Sequence, residues 1–368
     1  MPMNSIPRVQ PKAHLGRLQR MPHPPESREG FELLDRNERS VDFSPEVMRQ
    51  LRRLITAPLL RAYPEPERLY QRLAGWLGLP RERLLITMGA DGALKAIFEV
   101  FVEPGDDVVL ASPSFAMYPI YGQMYGARLR EARFHDDLSL PLEEILAVIT
   151  ARTKLVVLAN PNQPVERAYH EDEIGRLVDA CARVGAMLVM DEAYAPFCPY
   201  TATPFLDAYP NLIVVRSFSK AFGVAGLRLG YCLSHPEHIT HLNSVRPLVE
   251  MHAVGIAMGC YLVDHPELMT AYVAEVNAAR GWLGEALRQQ GFEASGRWAN
   301  WVLVALPSTL PAPELAVALK QRGVLIRTET RPPLTNHLRI TIGSLAQAQR
   351  FLAVFEAVVA DRQGLGGR

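Results

Sequence analysis

The segment LIVVRSFSKAFGVAGLRLGYCLS (212–234) consists of two apolar stretches joined by a loop that carries one lysine, Lys220. The first stretch predicts a buried β-strand, and Lys220 follows its end among small residues. A lysine in a crevice at the end of a strand can be desolvated and can then act as an amine nucleophile. The other four lysines of the chain lie in the N-terminal arm, within predicted helices or at the start of a strand. A lone lysine is usually a solvated surface residue, but this setting favours a functional one.

Outward from this loop, short apolar runs alternate with amphipathic helical patterns over most of the chain. Such alternation is typical of a mostly parallel sheet covered by helices on both faces, an α/β fold. Strands are predicted at 84–87, 106–112, 128–134, 154–160, 186–194, 212–218 and 229–234, and helices at 92–101, 115–125, 141–149 and 171–183. Two further helices are predicted before the first of these strands, one starting at the N-cap Ser44 and one ending near Gly78.

Beyond about residue 250 the pattern changes to a long helical stretch (256–290) followed by shorter strands and helices. This change predicts a smaller α+β domain at the C-terminus. We therefore expect an N-terminal arm (1–33), which reads as flexible, and a large domain (34–250) whose first segment contributes to the small domain. Residues 251–368 form that small C-terminal domain.

A second informative stretch, VMDEAYAPF (189–197), is an apolar strand that runs directly into an acid. An aspartate at the carboxyl end of a parallel strand lies where open α/β sheets bind ligands, which makes Asp191 a candidate for pairing with a heterocyclic nitrogen. Tyr194, three residues later, could present its phenol to a ring oxygen. Alone, Asp191 could equally cap the following turn.

Two loops complete the candidate site. In MGADGALKAIF (88–98) small residues turn from a strand into a helix, and the backbone N–H groups of a helix start can bind a phosphate. In LANPNQPVERAY (158–169) asparagines and prolines follow a buried strand, and an amide there can donate a hydrogen bond to a ring oxygen.

Composition excludes several classes of protein. Lys and Arg number 39 and Asp and Glu also 39, so the chain lacks the basic excess of a general nucleic-acid binder. We find no apolar run long enough for a membrane helix and no secretory signal. The four cysteines are scattered without a CxxC pair, which predicts neither disulfides nor a metal site and favours the cytoplasm.

Eight segments in a fixed order resemble the pyridoxal-phosphate enzymes of fold type I, the class I/II aminotransferases, and within them the histidinol-phosphate aminotransferase-like branch. The resemblance covers the chain from about Leu34 to the end. The segments are LDRNE (34–38), YPEP (63–66), MGADGALK (88–95), SPSFAMY (112–118), NPNQP (160–164), DEAY (191–194), SFSKAFGVAGLRLGY (217–231) and LRITIGS (338–344).

The resemblance implies pyridoxal 5′-phosphate as cofactor and a role for each matching residue. Lys220 is similar to the lysine that holds the cofactor and moves the proton, Asp191 to the acid at the pyridine nitrogen, and Tyr194 to the phenol at ring O3′. The phosphate cup implied by the family is Ala90, Asp91, Ser217, Ser219 and Arg228. Phe115 matches the stacking aromatic ring. Tyr63 matches the tyrosine supplied by the neighbouring subunit, which implies a homodimer.

The substrate side shows both matches and departures. Arg339 matches the arginine that grips the substrate carboxylate or an equivalent anion, and Arg327 and Asn37 are further candidates for substrate binding. The family loop NPNNPTG is here NPNQPVE (160–166), so Gln163 replaces the asparagine at O3′. The family segment NENP is here NERS (37–40), which changes the substrate entrance and indicates a divergent member.

These features predict an aminotransferase that exchanges an amino group between a small amino acid or amino-phosphate and a 2-oxo acid. A decarboxylase of an O-phospho amino acid is the main alternative, because the same constellation can break a different bond at Cα. Cyclisation or oxidation of a modified amino acid is another. A non-catalytic cofactor-binding domain ranks last, since Lys220, Asp191 and Tyr194 are all present.

Overall fold

The computed structural model describes residues 9–18 and 27–365, which form twelve strands and twelve α-helices. The strands are β1 (Glu32–Leu34), β2 (Leu84–Met88), β3 (Asp107–Ser112), β4 (Arg128–Arg133), β5 (Thr153–Ala159), β6 (Met187–Asp191), β7 (Leu212–Ser217), β8 (Leu229–Leu233), β9 (Glu293–Ser295), β10 (Trp301–Ala305), β11 (Val324–Glu329) and β12 (His337–Thr341). The helices are α1 (Pro45–Arg53), α2 (Ala57–Arg61), α3 (Glu67–Leu77), α4 (Gly89–Phe101), α5 (Met117–Met124), α6 (Leu142–Val148), α7 (Glu171–Val184), α8 (Pro236–Ser244), α9 (Ala253–Asp264), α10 (Pro266–Gln289), α11 (Ala312–Gln321) and α12 (Leu345–Leu365).

A seven-stranded sheet has the order β2-β8-β7-β6-β5-β3-β4, in which β8 runs antiparallel to both neighbours and the other pairs are parallel. Both of its faces are buried. Along β5, Val156 and Leu158 join the core on the side of α7, while Leu155 and Val157 join the core that contains Phe98 of α4. Adjacent strand residues point to opposite faces, so this alternation confirms the predicted α/β fold with helices on both sides.

A five-stranded sheet has the order β1-β11-β12-β10-β9. Its first strand comes from the N-terminal part of the chain: Leu34 lies opposite Ile326 in a parallel pair, and the remaining pairs are antiparallel. Helix α10 contacts β9 and β10, α11 contacts β11 and β12, and α12 contacts both helices. The chain therefore brings residues just after β1 next to strands that lie about 300 positions later.

Local signals place several helix ends as predicted. Ser44 caps α1 by accepting a hydrogen bond from the Val47 N–H at 3.3 Å, with Pro45 at the first helical position. Helix α3 ends at Gly78, whose φ of 66° is the left-handed conformation that glycine adopts without strain.

Other elements differ from the sequence-based expectation. The predicted long helix 256–290 is two helices, α9 and α10, because Pro266 cannot continue a helix that precedes it. Helix α8 was not predicted. In the arm expected to be flexible, Ala13–Arg17 form a 3₁₀ turn that contacts α5, and β1 starts at Glu32; residues 1–8 and 19–26 of that arm lie outside the described residues. Over the described ranges, no helix combines the length and the apolar character needed to cross a bilayer.

Candidate active site

A cavity of about 280 Å³ lies where the carboxyl ends of β5, β6 and β7 meet the start of α4. Twelve of the fourteen predicted site residues line it, and only Tyr63 and Arg327 do not. The twelve are Asn37, Ala90, Asp91, Phe115, Gln163, Asp191, Tyr194, Ser217, Ser219, Lys220, Arg228 and Arg339. Parallel strands place their carboxyl ends at one edge of a sheet, so residues far apart in sequence converge here.

Lys220 lies in the turn that follows β7. The Ser219 N–H donates to the hydroxyl of Ser217 at 3.0 Å, which fixes the start of this turn. The Lys220 amine donates to the backbone carbonyl of Arg36 at 3.1 Å and lies 5.6 Å from the centroid of the Tyr194 ring. Lys220 therefore lines the cavity and is tied by this hydrogen bond to the segment that follows β1.

Asp191 ends β6 as a buried carboxylate that opens onto the same cavity. Burial raises the pKa of its carboxyl to about 6. Two neutral groups bond to it: the Tyr118 hydroxyl donates at 2.7 Å and the Ala193 N–H at 3.1 Å. Sequence reasoning missed Tyr118, although it lies in the SPSFAMY segment, because nothing local shows which way its side chain points.

The start of α4 lies at one side of the cavity, where Ala90 and Asp91 line it. Gly230 on β8 approaches this helix so closely that a Cβ atom there would lie 2.4 Å from the Gly89 carbonyl carbon and 2.5 Å from the Ala90 nitrogen. The Arg228 guanidinium would lie 2.9 Å from a Cβ at Gly89, and it stands 3.7 Å from the Asp91 carboxylate. The first turn of a helix and an arginine thus lie close together at the cavity, an arrangement suited to binding a phosphate.

Tyr194 is held by a network that reaches the five-stranded sheet. The Asn37 side-chain amide donates to the Tyr194 hydroxyl at 3.0 Å. The Thr341 hydroxyl in turn donates to the Asn37 side-chain oxygen at 3.2 Å. The Tyr194 ring packs edge-on against Trp301, with centroids 4.8 Å apart. Asn37 therefore supports the phenol, a contact that the sequence did not indicate.

Arg339 points from β12 into the cavity and is only 6% exposed. Burial lowers the pKa of its guanidinium, and the carboxylate of Glu329, 3.3 Å from Nη1, opposes part of that shift. Within the described residues its Nε has no hydrogen-bond partner, so the group can still bind an anion. Arg327 lies directly opposite Arg339 on β11 but is exposed and outside the cavity lining.

The loop that carries Gln163 is fixed at both ends. The Asn162 side chain donates to the carbonyls of Pro113 and Val165 at 3.0 and 3.1 Å. Glu166 accepts hydrogen bonds from the backbone N–H groups of Arg297 and Trp298 at 2.5 and 2.8 Å, which joins this loop to the segment before β10. Burial raises the pKa of the Glu166 carboxyl. The sequence showed that Glu166 departs from the family loop but not what it contacts.

Tyr63 lies away from this cavity and is 85% exposed. It lines a separate groove of about 500 Å³ formed by residues 54–72 and by α9. Within one chain it therefore contributes nothing to the site.

The residues fit pyridoxal phosphate on grounds independent of any relative. Asp191 is a buried carboxylate whose two hydrogen-bond donors are neutral. Among the described residues its charge therefore lacks a cationic partner, which a protonated pyridine nitrogen would supply. An amine, Lys220, shares the cavity with this carboxylate, and the start of α4 with Arg228 offers a phosphate cup. This fold and this site define a pyridoxal-phosphate enzyme of fold type I.

Comparison with known proteins gives the same class. Residues 31–355 match the family model "Aminotransferase class I and II". Histidinol-phosphate aminotransferase from Sinorhizobium fredii is 29% identical over 94% of this chain and 93% of that protein. The one from Pectobacterium carotovorum is 31% identical over 83% and 86%. The crystal structure of the Sinorhizobium meliloti histidinol-phosphate aminotransferase in complex with pyridoxal-5′-phosphate superposes with a TM-score of 0.83, at 26% identity, and covers 97% of this chain and 99% of that one.

The chain belongs to the aminotransferase class I and II family, in its histidinol-phosphate aminotransferase-like branch. It is a pyridoxal-phosphate-dependent transaminase. The Thermus thermophilus aspartate aminotransferase solved with maleate has a TM-score of 0.76 at 23% identity, which shows that the fold is shared.

Proposed function

We propose that this transaminase moves an amino group from a donor that carries an anionic group, a small amino acid or an amino-phosphate, to a 2-oxo acid. The observation that carries the proposal is that one cavity holds the Lys220 amine, the Asp191 carboxylate and the buried Arg339 guanidinium. A donor whose anion binds Arg339 can thereby place its amino carbon near Lys220 and the cofactor site.

Lys220 and Asp191 carry the proton chemistry in this proposal. Bound pyridoxal phosphate supplies the electron sink that receives the electron pair left when the substrate Cα loses its proton. The Lys220 amine holds the cofactor at rest, accepts the Cα proton once the substrate has displaced it, and returns a proton on the cofactor side. Asp191 keeps the pyridine nitrogen protonated, which maintains that electron sink.

The remaining cofactor contacts orient the ring. All three of Phe115, Tyr194 and Gln163 line the cavity. With the cofactor bound, Phe115 would stack on the ring, and Tyr194 and Gln163 would offer a hydroxyl and an amide to its O3′. The cup that holds the phosphate consists of Ala90, Asp91, Ser217, Ser219 and Arg228. Gln163 is one methylene longer than the family asparagine and keeps the same amide donor.

The five-stranded sheet supplies the substrate side. Arg339 binds the donor's anion, and Arg327 adds positive charge from the neighbouring strand. Asn37 lines the same cavity and is hydrogen-bonded to Thr341 of β12. The relatives are named for histidinol phosphate, an amine that carries a phosphate. That compound and amino acids are therefore the two donor classes to compare.

We propose a homodimer in which Tyr63 of each subunit completes the phosphate cup of the other. Tyr63 is largely exposed and lies in a groove with apolar walls that include Leu54, Leu59 and Ile256. A tyrosine and a groove so placed favour burial against a second copy.

Mixed dimers test this arrangement. Lys220→Ala homodimers should be inactive, and Tyr63→Phe homodimers should have lower activity than the wild type. A heterodimer of the two variants contains one site with an intact Lys220 from one subunit and an intact Tyr63 from the other. Activity regained on mixing supports the shared site, whereas activity no higher than the sum of the separate variants contradicts it.

We also propose the domain division inferred above, with a large domain (34–250), a small domain (251–368) and the segment after the arm joined to the small domain. The pairing of β1 with β11 supports it. A cytoplasmic location is proposed as well, because the four cysteines are unpaired and buried thiols.

A single-turnover spectrum tests the function. The holoenzyme is mixed with a panel of amino acids and phospho-amino acids while the visible cofactor band and CO₂ release are followed. Bleaching without CO₂, reversed by a 2-oxo acid, is expected and names the donor. Release of CO₂ with return of the original band would instead show decarboxylation. The Lys220→Ala protein is the control, since it should lack the band of covalently held cofactor.

A further inference from the structure

An acid lies beside the arginine assigned to the substrate's anion. Glu329 at the end of β11 is 3.3 Å from Arg339 Nη1, and the two side chains are only 12% and 7% exposed. Arg327 and Arg339 lie directly opposite each other on neighbouring strands, so their side chains share one face of the sheet, and Glu329, two positions from Arg327, lies on that face too. Arg339 in the cavity is thus flanked on the same face of the sheet by the Glu329 carboxylate and, at an exposed position, by the Arg327 guanidinium.

The charges around this face leave one positive charge in excess. Arg28 pairs with Asp35 and Glu38 at 2.5 and 2.7 Å, and Arg36 stands 3.5 Å from Asp35. These four groups sum to zero. Arg327, Arg339 and Glu329 together sum to one positive charge.

Hydrogen-bonding capacity agrees with this charge. Glu329 lies 3.3 Å from Nη1 of the Arg339 guanidinium, and neither Nη1 nor the buried Nε has a hydrogen-bond partner within the part of the chain described. A carboxylate carries one negative charge and accepts two parallel N–H bonds from a guanidinium. A phosphate monoester carries about 1.5 to 2 negative charges near neutral pH. Its additional charge would face the Glu329 carboxylate.

We propose that Glu329 determines the donor class, so that the enzyme prefers a donor whose anion is a singly charged carboxylate over a donor with a doubly charged phosphate. This inference rests on the proposed role of Arg339 in substrate binding. The carboxylate of Glu329 lowers the positive charge of the site to that of one anion and repels the second charge of a phosphate.

Substitution of Glu329 tests this by a ratio of rates. The holoenzyme is mixed at about pH 8, where a phosphate monoester is doubly charged, with L-glutamate, L-phenylalanine, L-leucine or L-histidinol phosphate. The second-order rate constant for bleaching of the visible band is measured for each donor. We expect the wild-type protein to favour a carboxylate donor and Glu329→Gln to shift the ratio toward histidinol phosphate by about tenfold or more.

Two further variants separate charge from packing. Glu329→Asp keeps the charge and should keep the wild-type preference, and Glu285→Gln, an exposed acid on α10, should leave the ratio unchanged. The inhibition constants of acetate and of methyl phosphate compare a carboxylate with a phosphate without a turnover. We expect Glu329→Gln to shift the ratio of these constants toward tighter binding of methyl phosphate.

The inference is overturned if the ratio of the rate constants for carboxylate donors and histidinol phosphate is the same in wild type and Glu329→Gln. It is also overturned if the wild-type protein prefers histidinol phosphate. In both cases transamination itself stands. Absence of bleaching with every donor overturns the proposed function itself. The two failures are distinguishable because the second removes the reaction, whereas the first leaves it in place without the selectivity.

Discussion

Replacing Asp191 by Asn should stabilise the cofactor-free protein at neutral pH while it destroys activity. The carboxyl is fully buried, and burial raises its pKa from 3.8 to about 6. A carboxyl whose pKa is higher in the folded state than in the unfolded chain stabilises the fold at pH values below its unfolded-state pKa. That stabilisation is lost as the pH rises through the folded-state pKa. The wild-type protein therefore bears a penalty at neutral pH that an uncharged amide does not.

The size of the penalty follows from the shift. About two pKa units at 1.36 kcal/mol each give about 3 kcal/mol. About half of it is present at pH 5 and nearly all of it above about pH 7, so the penalty grows by about 1.5 kcal/mol between pH 5 and 8. The amide keeps one acceptor for the Ala193 N–H, and the Tyr118 hydroxyl can rotate to accept from the new NH₂ group, which limits the loss of hydrogen bonds to about 1 kcal/mol.

Urea unfolding of the cofactor-free wild-type and Asp191→Asn proteins, at one protein concentration and at pH 5 and pH 8, measures the difference. The free energy of unfolding of the variant minus that of the wild type should increase by about 1.5 kcal/mol from pH 5 to pH 8. Infrared difference spectra between the two proteins should show a protonated carboxyl that titrates near pH 6. A free-energy difference that does not change with pH, together with no such titration, would refute the reasoning.

Three other substitutions test separate contacts. Arg339→Ala removes a charged hydrogen-bond donor from the substrate and should raise KM by about tenfold or more with little loss of bound cofactor. Tyr118→Phe removes the hydroxyl that bonds the Asp191 carboxylate and should raise the pKa of that carboxyl by about one to two units, which moves its infrared titration to higher pH. Glu166→Ala frees the N–H groups of Arg297 and Trp298 and should cost about 1 to 3 kcal/mol, with faster hydrogen exchange at those two amides.

Each of these has a contradicting result. An unchanged KM in Arg339→Ala, with Arg350→Ala as a matched exposed control, removes Arg339 from the substrate site. If the Asp191 carboxyl titrates at the same pH in Tyr118→Phe as in the wild type, the Tyr118 hydroxyl does not stabilise the charged form of that carboxyl. Unchanged exchange at Arg297 and Trp298 in Glu166→Ala shows that this carboxylate does not hold the segment.

Features with a local origin could be predicted from the sequence. The alternation of apolar runs and helical patterns indicated the parallel sheet, because burial on both faces requires nearly continuous apolar strands. Asp191 and Lys220 were found because each follows such a strand directly, and parallel strands deliver the residues at their ends to one edge. Resemblance to a family added the individual cup residues, of which Ala90 and Asp91 lie far from these strands in sequence, and Arg339, which lies far from them on the other side.

The partners of those residues were decided only by the tertiary structure. Tyr118 meets Asp191 across 73 positions of sequence, Glu166 meets Arg297 across 131, and Asn37 meets Thr341 across 304. Glu329 meets Arg339 because two antiparallel strands place them on one face. Such contacts leave no periodic signal, since they depend on strand register and on the packing of one sheet against another. The sequence by itself thus indicated the candidate groups for the chemistry, and the packing determined which of them share one cavity and with which charges and hydrogen bonds.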